Sequence, residues 1–278
     1  MKIFTSKAEL SHLLTELKKE NKKIGLVPTM GALHSGHLSL IKTAKQQTDV
    51  VVCSIFVNPT QFTDQKDLEK YPRTVSADIE KLTEAACDYL FLPEVTEMYE
   101  EHETWHLDIG YLENMLEGAI RPGHYQGVTQ VVFKLFQIVN PTKAFFGQKD
   151  YQQVLIIRKM VEILNLPVEL VMCPIERNKE GLALSSRNVH LSETEKSKAL
   201  LLSKSLFTIR DLSAQHTPEE LKAIALNILK SDADIKLDYF ELLDKDTLTT
   251  LNNDSKGMVA LVAATIGKTR LIDNMIFN

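Results

Sequence analysis

Over the first 175 residues, short β-branched hydrophobic runs alternate with longer segments in which apolar residues repeat with helical spacing. The runs predict strands at Lys23–Pro28, Val50–Val57, Tyr89–Leu92, Ala144–Phe146 and Val168–Met172. The segments between them predict helices at Leu38–Gln47, Ala77–Ala86, Val128–Val139 and Tyr151–Leu164. Such alternation is typical of βαβ units. The pattern therefore predicts an α/β domain with a parallel sheet over residues 1–175.

After that point the hydrophobic pattern changes. A polar loop is followed by two long charged helices, Ser192–Asp211 and Pro218–Lys230, and then by strands near Lys236–Leu242 and Met258–Ile266. Helices and strands that are grouped separately in this way favour an α+β arrangement. Residues 176–278 are therefore predicted to form a smaller second domain, which fits a chain of 278 residues.

Charge and cysteine content narrow the class of protein. The 32 Lys and Arg residues are interspersed among 37 Asp and Glu, for a net charge of −5. Nucleic acid is not expected as a partner, because binding it needs clustered positive charge. Cys53, Cys87 and Cys173 each lie in an apolar context, which argues against a disulfide framework and favours a reducing cytoplasm. No apolar run approaches the roughly 20 residues of a membrane helix.

The loop after the first predicted strand carries the strongest candidate chemistry. It comprises Met30, Gly31, Ala32, Leu33, His34, Ser35, Gly36 and His37. In open α/β sheets ligands bind at the carboxyl ends of strands, where helix N-termini favour anions. His34 and His37 are placed to stabilise charge on a phosphate. The alternatives are that both histidines only cap or pack, or that they bind zinc, for which no further ligands lie nearby.

Two other polar segments have the same character. Gly147, Gln148, Lys149 and Asp150 follow an apolar strand, where Lys149 is suited to neutralise phosphate. Leu184, Ser185, Ser186 and Arg187 lie in a loop near the domain boundary, where hydroxyls and a guanidinium can hold transferring phosphates. A solvated turn and an ordinary linker are the alternatives.

Amide side chains follow the second strand and begin a later helix. Asn58, Gln61 and Gln153 offer donors and acceptors to a small polar substrate, as does neighbouring Gln152. Arg121 precedes the long central helix and is a further candidate substrate ligand. Asp78 is a candidate magnesium ligand.

In order along the chain, the segments PTMGALHSGH, FVNPTQF, YPRT, LEGAIRPGHYQGV, FFGQKDYQQ and GLALSSRN closely resemble the pantoate–β-alanine ligase (pantothenate synthetase) family. The resemblance covers about two thirds of the chain. It implies a Rossmann-like domain of the HIGH nucleotidyltransferase superfamily and a smaller C-terminal lid domain. It also implies a cytoplasmic homodimer that uses ATP and Mg²⁺, with pantoate and β-alanine as substrates, in the biosynthesis of vitamin B5 and coenzyme A.

In that family the pantoate carboxylate attacks the α-phosphorus of ATP to give pantoyl adenylate, and β-alanine then displaces AMP. Residues 30–37 would bind ATP, with His34 and His37 at the phosphates and His37 as proton donor or charge stabiliser. The ATP site would be completed by Gly147, Gln148, Lys149, Asp150, the main chain of Glu176, Leu184, Ser185, Ser186 and Arg187. Gln61 and Gln153 would hold pantoate, and Gln61 would also meet β-alanine.

The chain departs from the family pattern at two positions. Gln148 stands where the family often has an acidic residue, and Gln130 stands where a small hydroxyl residue is expected. Neither change removes a charged catalytic group, so activity is expected to survive. Gln130 is expected to alter the fit of the substrate.

Three motifs or classes compete with this interpretation. His102–His106 matches the HExxH pattern of zinc peptidases but lacks a helical context and a third ligand. Gly267-Lys268-Thr269 resembles the end of a P-loop, although Val262 stands where its first glycine is required. The remaining alternatives are another HIGH-type enzyme that transfers a nucleotide onto a phosphate, and a non-catalytic ATP-binding regulator.

Overall fold

The computed structural model describes residues 1–277. The strands are β1 Lys2–Phe4, β2 Ile24–Thr29, β3 Val50–Ile55, β4 Tyr89–Phe91, β5 Lys143–Gly147, β6 Glu169–Cys173, β7 Ile235–Asp244, β8 Met258–Ile266 and β9 Thr269–Phe277. The α-helices are α1 Lys7–Lys19, α2 Ser35–Gln47, α3 Gln65–Lys70, α4 Val75–Glu84, α5 Val95–Met98, α6 Leu116–Ile120, α7 His124–Val139, α8 Tyr151–Ile163, α9 Glu193–Leu212 and α10 Pro218–Leu229. Short 3₁₀ turns include Pro59–Gln61, Gln148–Asp150 and Ser186–His190.

The chain divides into two compact units. The first comprises Met1–Gly147 and Gln152–Pro174, and the second comprises Gln148–Tyr151 and the residues from Ile175 onward. In the first unit a six-stranded sheet has the order β1-β4-β3-β2-β5-β6, with every pairing parallel. The α/β class and the Rossmann-like sheet predicted from the sequence are confirmed.

The order of the strands locates the site within this sheet. From β2 the chain continues to β3 and β4 on one side, whereas β5 and β6 lie on the other side. Strands β2 and β5 are neighbours, with Leu26 paired to Ala144, so their carboxyl ends at Thr29 and Gly147 lie side by side. Such a switch in strand order is where open α/β sheets bind ligands.

The second unit is built on a three-stranded antiparallel sheet, β7-β8-β9. Helices α9 and α10 pack on it through apolar residues spaced three or four apart. The core contains Leu202, Leu206 and Ile209 of α9, Leu221, Ala225 and Leu229 of α10, and Val262 and Ala264 of β8. This α+β composition agrees with the class predicted for the smaller domain.

The observed elements differ from the predicted ones mainly at their ends. Helix α7 begins at His124 instead of Val128, directly after Gly123, whose left-handed conformation (φ 81°) is readily adopted by glycine. Strands β1 and β9 and helix α1 were not predicted as elements.

The three cysteines are free and buried. Burial raises the pKa of the Cys87 thiol to about 11. No helix within residues 1–277 is long and apolar enough to span a bilayer.

Candidate active site

A buried carboxylate from α4 shapes the loop that follows β2. Asp78 is fully buried, and its Oδ2 and Oδ1 accept hydrogen bonds from the main-chain N–H groups of Ala32 (2.9 Å) and Leu33 (2.8 Å). One turn further along α4, Lys81 Nζ donates to the Leu33 carbonyl (2.6 Å). Gly31 has φ 83°, and a Cβ there would lie 3.2 Å from Asp78 Oδ2. Glycine is therefore required where the loop passes over the carboxylate.

The hydrogen bonds of Asp78 give it a role in the loop that the predicted metal role did not include. Both carboxylate oxygens accept main-chain hydrogen bonds, and Oδ2 also accepts from the Thr74 hydroxyl (3.2 Å). Among residues 1–277, no cluster of three His, Cys, Asp or Glu side chains is placed to hold a metal ion. Asp78 acts as an internal anion that holds the loop.

His34 and His37 form a reciprocal cap at the start of α2. His34 Nδ1 accepts from Gly36 N (3.1 Å), and His37 Nδ1 accepts from His34 N (3.3 Å). A ring nitrogen that accepts a hydrogen bond carries no proton, so each imidazole is neutral with its proton on Nε2. The two rings lie with centroids 4.1 Å apart. Both rings therefore cap α2 through Nδ1, which is the capping alternative considered from the sequence.

The main chain of this loop is largely occupied by the protein itself. Gly31 N donates to Thr29 Oγ1, and His37 N donates to the His34 carbonyl. Ala32, Leu33, His34 and Gly36 also donate their N–H groups within the loop and to Asp78, as described above. The expected cradle of main-chain N–H groups for phosphate is therefore not available at these six residues.

The amides after β3 form a second polar group in the first unit. Asn58 is 1% exposed and donates through Nδ2 to Gln61 Oε1 (3.2 Å) and to the Gly127 carbonyl (3.1 Å). Its Oδ1 accepts from the Tyr99 hydroxyl (2.7 Å) and from Thr60. Because both N–H groups of the amide are used, Asn58 orients Gln61 in this structure. These contacts favour an indirect role for Asn58, through Gln61, over the direct substrate contact predicted for it.

Gln61 is held from its main chain as well. His124 Nδ1 lies 2.7 Å from the Gln61 carbonyl, and His124 Nε2 lies 3.3 Å from Arg121 NH1. Since a carbonyl can only accept, Nδ1 carries the proton of His124 and Nε2 accepts from Arg121. A Cβ on Gly127 would lie 2.3 Å from the Thr60 carbonyl, so only glycine lets α7 approach this turn. Arg121 is thereby connected to Gln61 through one imidazole.

The two glutamines at the start of α8 have different environments. Gln152 is 3% exposed; it accepts from Glu117 N and donates to the carbonyls of Leu112 and Met115. Both the oxygen and the NH₂ group of its amide are therefore used in hydrogen bonds to residues 112–117. Gln153 is half-buried. Gln153 therefore remains the candidate ligand, as predicted, and Gln152 is structural.

In the second unit, the 3₁₀ turn that carries Lys149 is bonded to the C-terminal sheet. Asn274 of β9 bonds to Gln148 and to the Lys149 carbonyl, and Tyr151 Oη donates to the Lys245 carbonyl (2.7 Å). Gly147 ends β5 in the first unit, whereas Gln148, Lys149 and Asp150 belong to the second. The side chain of Gln148, one of the two departures from the family pattern, thus donates a hydrogen bond to the side-chain amide of Asn274.

The Ser-Ser-Arg loop also belongs to the second unit. Ser185 caps the turn Ser186–His190 by accepting from Arg187 N (3.2 Å). Leu184 N donates to the Glu176 carbonyl (2.9 Å), so that carbonyl, expected near adenine, is used to fold the loop. The structure thus places His34, His37, Gln61 and Gln153 in the first unit and Lys149 and Arg187 in the second.

The competing motifs lack the geometry they require. His102 has φ 62°, and residues 102–106 are not helical, so the two histidines do not share a helix face. Glu103 forms an ion pair with Lys134 (2.7 Å) and accepts a hydrogen bond from Gln130 Nε2 (3.3 Å). Gly267-Lys268 forms the hairpin turn between β8 and β9, so a strand follows it where a P-loop requires a helix.

Several residues that organise the site were not predicted from the sequence. They are Thr29, Lys81, Tyr99, His124, Arg177, Asp273 and Asn274. His124 lies within the quoted segment LEGAIRPGHYQGV, which was the available signal for it, whereas Tyr99 lies in no quoted segment. Asn274 is 125 residues from Lys149, and no sequence pattern connects the two.

The chain was compared with known families, proteins and structures. The profile of the Pantoate-beta-alanine ligase family matches residues 2–276. The chain is 47% identical to the pantothenate synthetase of Porphyromonas gingivalis, covering 99% of both chains. The crystal structure of pantothenate synthetase from Thermus thermophilus superposes with a TM-score of 0.93 at 41% identity, covering 99% of both chains.

A further solved relative carries ligands. It is the pantoate-beta-alanine ligase from Francisella tularensis complexed with beta-gamma ATP and beta-alanine. It matches with a TM-score of 0.80 at 37% identity, covering 99% of this chain and 97% of that one.

The fold, with a polar site at the carboxyl ends of a parallel sheet, places the chain among the nucleotide-binding α/β enzymes. Within that class the chain belongs to the pantoate–β-alanine ligase family, as the full-length matches require. It is an ATP-dependent ligase that joins pantoate to β-alanine in pantothenate biosynthesis. The resemblance found in the sequence motifs is confirmed.

Proposed function

We propose that the chain performs this ligation through a pantoyl-adenylate intermediate. A pantoate carboxylate oxygen attacks the α-phosphorus of ATP, and the bond to the β-phosphate breaks to release pyrophosphate. The neutral amine of β-alanine then attacks the acyl carbon, AMP leaves with the bridging oxygen, and the amine loses a proton to give the amide. One observation carries the proposal. His34 and His37, in the loop after β2 where the strand order of the sheet switches, are neutral imidazoles that each accept a main-chain hydrogen bond through Nδ1.

The imidazoles are assigned to the charge that develops on the phosphates. The cap fixes the orientation of each ring through Nδ1, and a preorganised donor is the condition for electrostatic stabilisation of a transition state. Proton donation by His37 is not required, because phosphoryl transfer depends mainly on positioning and charge. Gly147, Lys149, Asp150, Ser185, Ser186 and Arg187 are assigned to the same nucleotide, with Lys149 and Arg187 as cations.

Gln61 and Gln153 are assigned to pantoate, and Gln61 also to β-alanine. Asn58 accepts from Tyr99 and donates to Gln61 Oε1, which fixes which end of the Gln61 amide faces Met30 Sδ (3.0 Å from Nε2). A fixed amide discriminates between donors and acceptors on a small substrate. Arg121 is assigned to the substrate side through His124.

Magnesium is expected to accompany ATP. The described residues do not fit a protein-held magnesium site, since Asp78 is fully engaged and no acidic cluster is present among residues 1–277. Mg²⁺ keeps several waters and is commonly held by substrate phosphates. The homodimer, the cytoplasmic location and the lid role of the second unit remain predictions from the family. Sedimentation equilibrium of the purified protein tests the first of these.

The adenylate is tested with pantoate labelled with ¹⁸O in its carboxylate. The proposed route transfers one labelled oxygen to AMP, and pyrophosphate release depends on pantoate even without β-alanine. Formation of ADP with label in orthophosphate would instead indicate an acyl phosphate. Pyrophosphate release that is indifferent to pantoate would indicate nucleotide transfer to another acceptor, such as a phosphate.

A further inference from the structure

We propose that Asn274, on the last strand, is a positioning residue that sets the location of Lys149 for ATP. The proposal rests on the proposed function, which assigns Lys149 to the phosphates. The side chain of Asn274 is 1% exposed. Its Nδ2 donates to the carbonyls of Gln148 (2.9 Å) and Lys149 (3.0 Å), and its Oδ1 accepts from Gln148 Nε2 (3.1 Å). One amide thus binds the turn at three points.

The turn depends on this support because of its own size. Gln148–Asp150 is a 3₁₀ turn of three residues, too short to set its own orientation. Lysine carries its charge on a flexible four-carbon stem, so the main chain must be fixed for the ammonium to be well placed. Displacement by about 1 Å can reduce a rate by roughly 100-fold. Asn274 supplies the fixed point that the turn lacks.

Asn274 is itself held by its neighbour. Its N–H donates to Asp273 Oδ1 (2.8 Å), and Asp273 forms a bidentate ion pair with Arg177 (2.6 and 2.8 Å). Arg177 also donates to the Gly181 carbonyl (3.0 Å) and lies over the Phe207 ring. Gly181 belongs to the loop that leads to Ser185, Ser186 and Arg187. Adjacent residues of β9 therefore hold both segments assigned to ATP in the second unit.

A purely structural role for Asn274 is distinguished by a double-mutant cycle. Pantoate-dependent pyrophosphate exchange is measured for Asn274→Ala, Lys149→Ala and the double variant, with thermal unfolding measured in parallel. Leu271→Ala is the matched control, because Leu271 is a buried core residue of the same strand. It is expected to lower the unfolding temperature while leaving exchange at wild-type rate below that temperature.

If Asn274 acts through Lys149, Asn274→Ala lowers the exchange rate by about 10- to 100-fold. Adding it to Lys149→Ala then changes the rate by less than about 2-fold, because residues that act as a unit are not additive. Independent, multiplying effects overturn the proposal, as does exchange at the level of the Leu271 control. An unimpaired Lys149→Ala enzyme overturns the assignment of Lys149 itself, which is a separate result.

A second measurement applies if Asn274→Ala does not fold. Gln148→Ala removes the bond between the two side chains, and Asn274→Ser removes the whole amide while leaving a small polar side chain on β9. Amide hydrogen exchange over residues 148–151 is expected to accelerate in both variants, more in Asn274→Ser. Unchanged exchange in the folded Asn274→Ser protein shows that the turn holds itself, and the proposal then fails.

Discussion

At the scale of single residues, His34 and His37 each have two functions that their ring nitrogens separate. Nδ1 accepts a main-chain N–H at the start of α2, and Nε2 carries the proton. The cap therefore selects the tautomer that the proposed chemistry needs. Replacing either ring changes both the helix start and the donor, so a single substitution to alanine is ambiguous.

Two substitutions at His37 separate these functions. His37→Ala is expected to lose about 1 kcal/mol of stability from the cap and to slow adenylate formation by about 100-fold or more. His37→Gln retains an acceptor for His34 N, as glutamine does at this position of a capping box. It should therefore recover the unfolding temperature but not the rate. Equal loss of ATP affinity and rate in both variants would reduce His37 to a binding group.

Tyr99 is expected to influence pantoate through Asn58. Tyr99→Phe removes the 2.7 Å hydrogen bond to Asn58 Oδ1 and releases the amide that orients Gln61. A lost hydrogen bond of about 1 kcal/mol predicts a KM for pantoate raised roughly 3- to 10-fold, with little change in the KM for ATP. Tyr89→Phe serves as the control. An unchanged KM for pantoate would remove Tyr99 from the site.

The Tyr99 effect should not depend on pH under ordinary conditions. Burial raises the pKa of Tyr99 to about 12, with the hydrogen bonds to Thr60 and Asn58 acting against that rise. The hydroxyl therefore remains a donor throughout the range in which the enzyme is assayed.

Some of these residues could be predicted from the sequence and others could not. His34, His37, Gln61 and Lys149 are polar residues in turns after apolar strands, and such turns are recognisable locally. The role of Asp78 depends on a hydrogen bond 45 residues away, to Leu33, and no local pattern carries that information. The sequence offered only a magnesium role for Asp78, and its hydrogen bonds to the His loop became visible only in the structure.

At the scale of elements, α4 holds the His loop through one face. Asp78→Asn replaces one acceptor with an NH₂ group that opposes a main-chain donor, leaving a buried group unsatisfied at about 1–3 kcal/mol. The unfolding temperature should fall by several degrees and activity should fall with it. The magnesium concentration for half-maximal rate should not change, whereas loss of a true magnesium ligand would raise it. Asp88→Asn, which affects the Val51 main chain and Lys45, is the control.

The helices of the second unit are expected to lose their N-terminal caps in acid. The main-chain N–H of Ser192 lowers the pKa of Glu195, and that of Thr217 lowers the pKa of Glu220. A carboxylate whose pKa is lowered by folding stabilises the fold above its unfolded pKa of about 4.3 and loses this as pH falls through the folded value. Glu195→Gln and Glu220→Gln should therefore be less stable than wild type at pH 7, with the difference shrinking in acid.

Glu219→Gln is the matched control for these caps, because it removes the same charge in the same turn of α10 without a capping bond. A stability difference for Glu220→Gln that persisted unchanged to pH 2 would contradict the capping explanation. Urea denaturation across pH provides the measurement.

Whole elements were predictable where their pattern was long. The longer strands of the parallel sheet and helices α8, α9 and α10 follow extended apolar repeats, so only their ends differ. Strand β1 has three residues and exists because it pairs with β4, a contact that its sequence does not display. Strand β9 does not alternate apolar and polar residues, because the adjacent buried pair Asp273 and Asn274 interrupts its apolar residues and obscures the pattern of a strand.

At the scale of the whole molecule, the order of the chain does not follow the two compact units. The chain leaves the first unit at Gln148, returns at Gln152, and leaves again at Ile175. A boundary near residue 175 was predictable from the change in hydrophobic pattern. The assignment of residues 148–151 to the second unit was not predictable, because it depends on their hydrogen bonds to Asn274 and Lys245.

Because residues 148–151 are bonded to the C-terminal sheet, the order of synthesis affects when this turn is completed. A ribosome delivers Lys149 long before Asn274, since 125 positions separate them. The parallel sheet has all its strands once residue 173 has emerged, and Lys245, whose carbonyl accepts from Tyr151, emerges before β9. The three bonds from the Asn274 amide to Gln148 and Lys149 form only after β9 has left the exit tunnel, so the lysine turn is completed last.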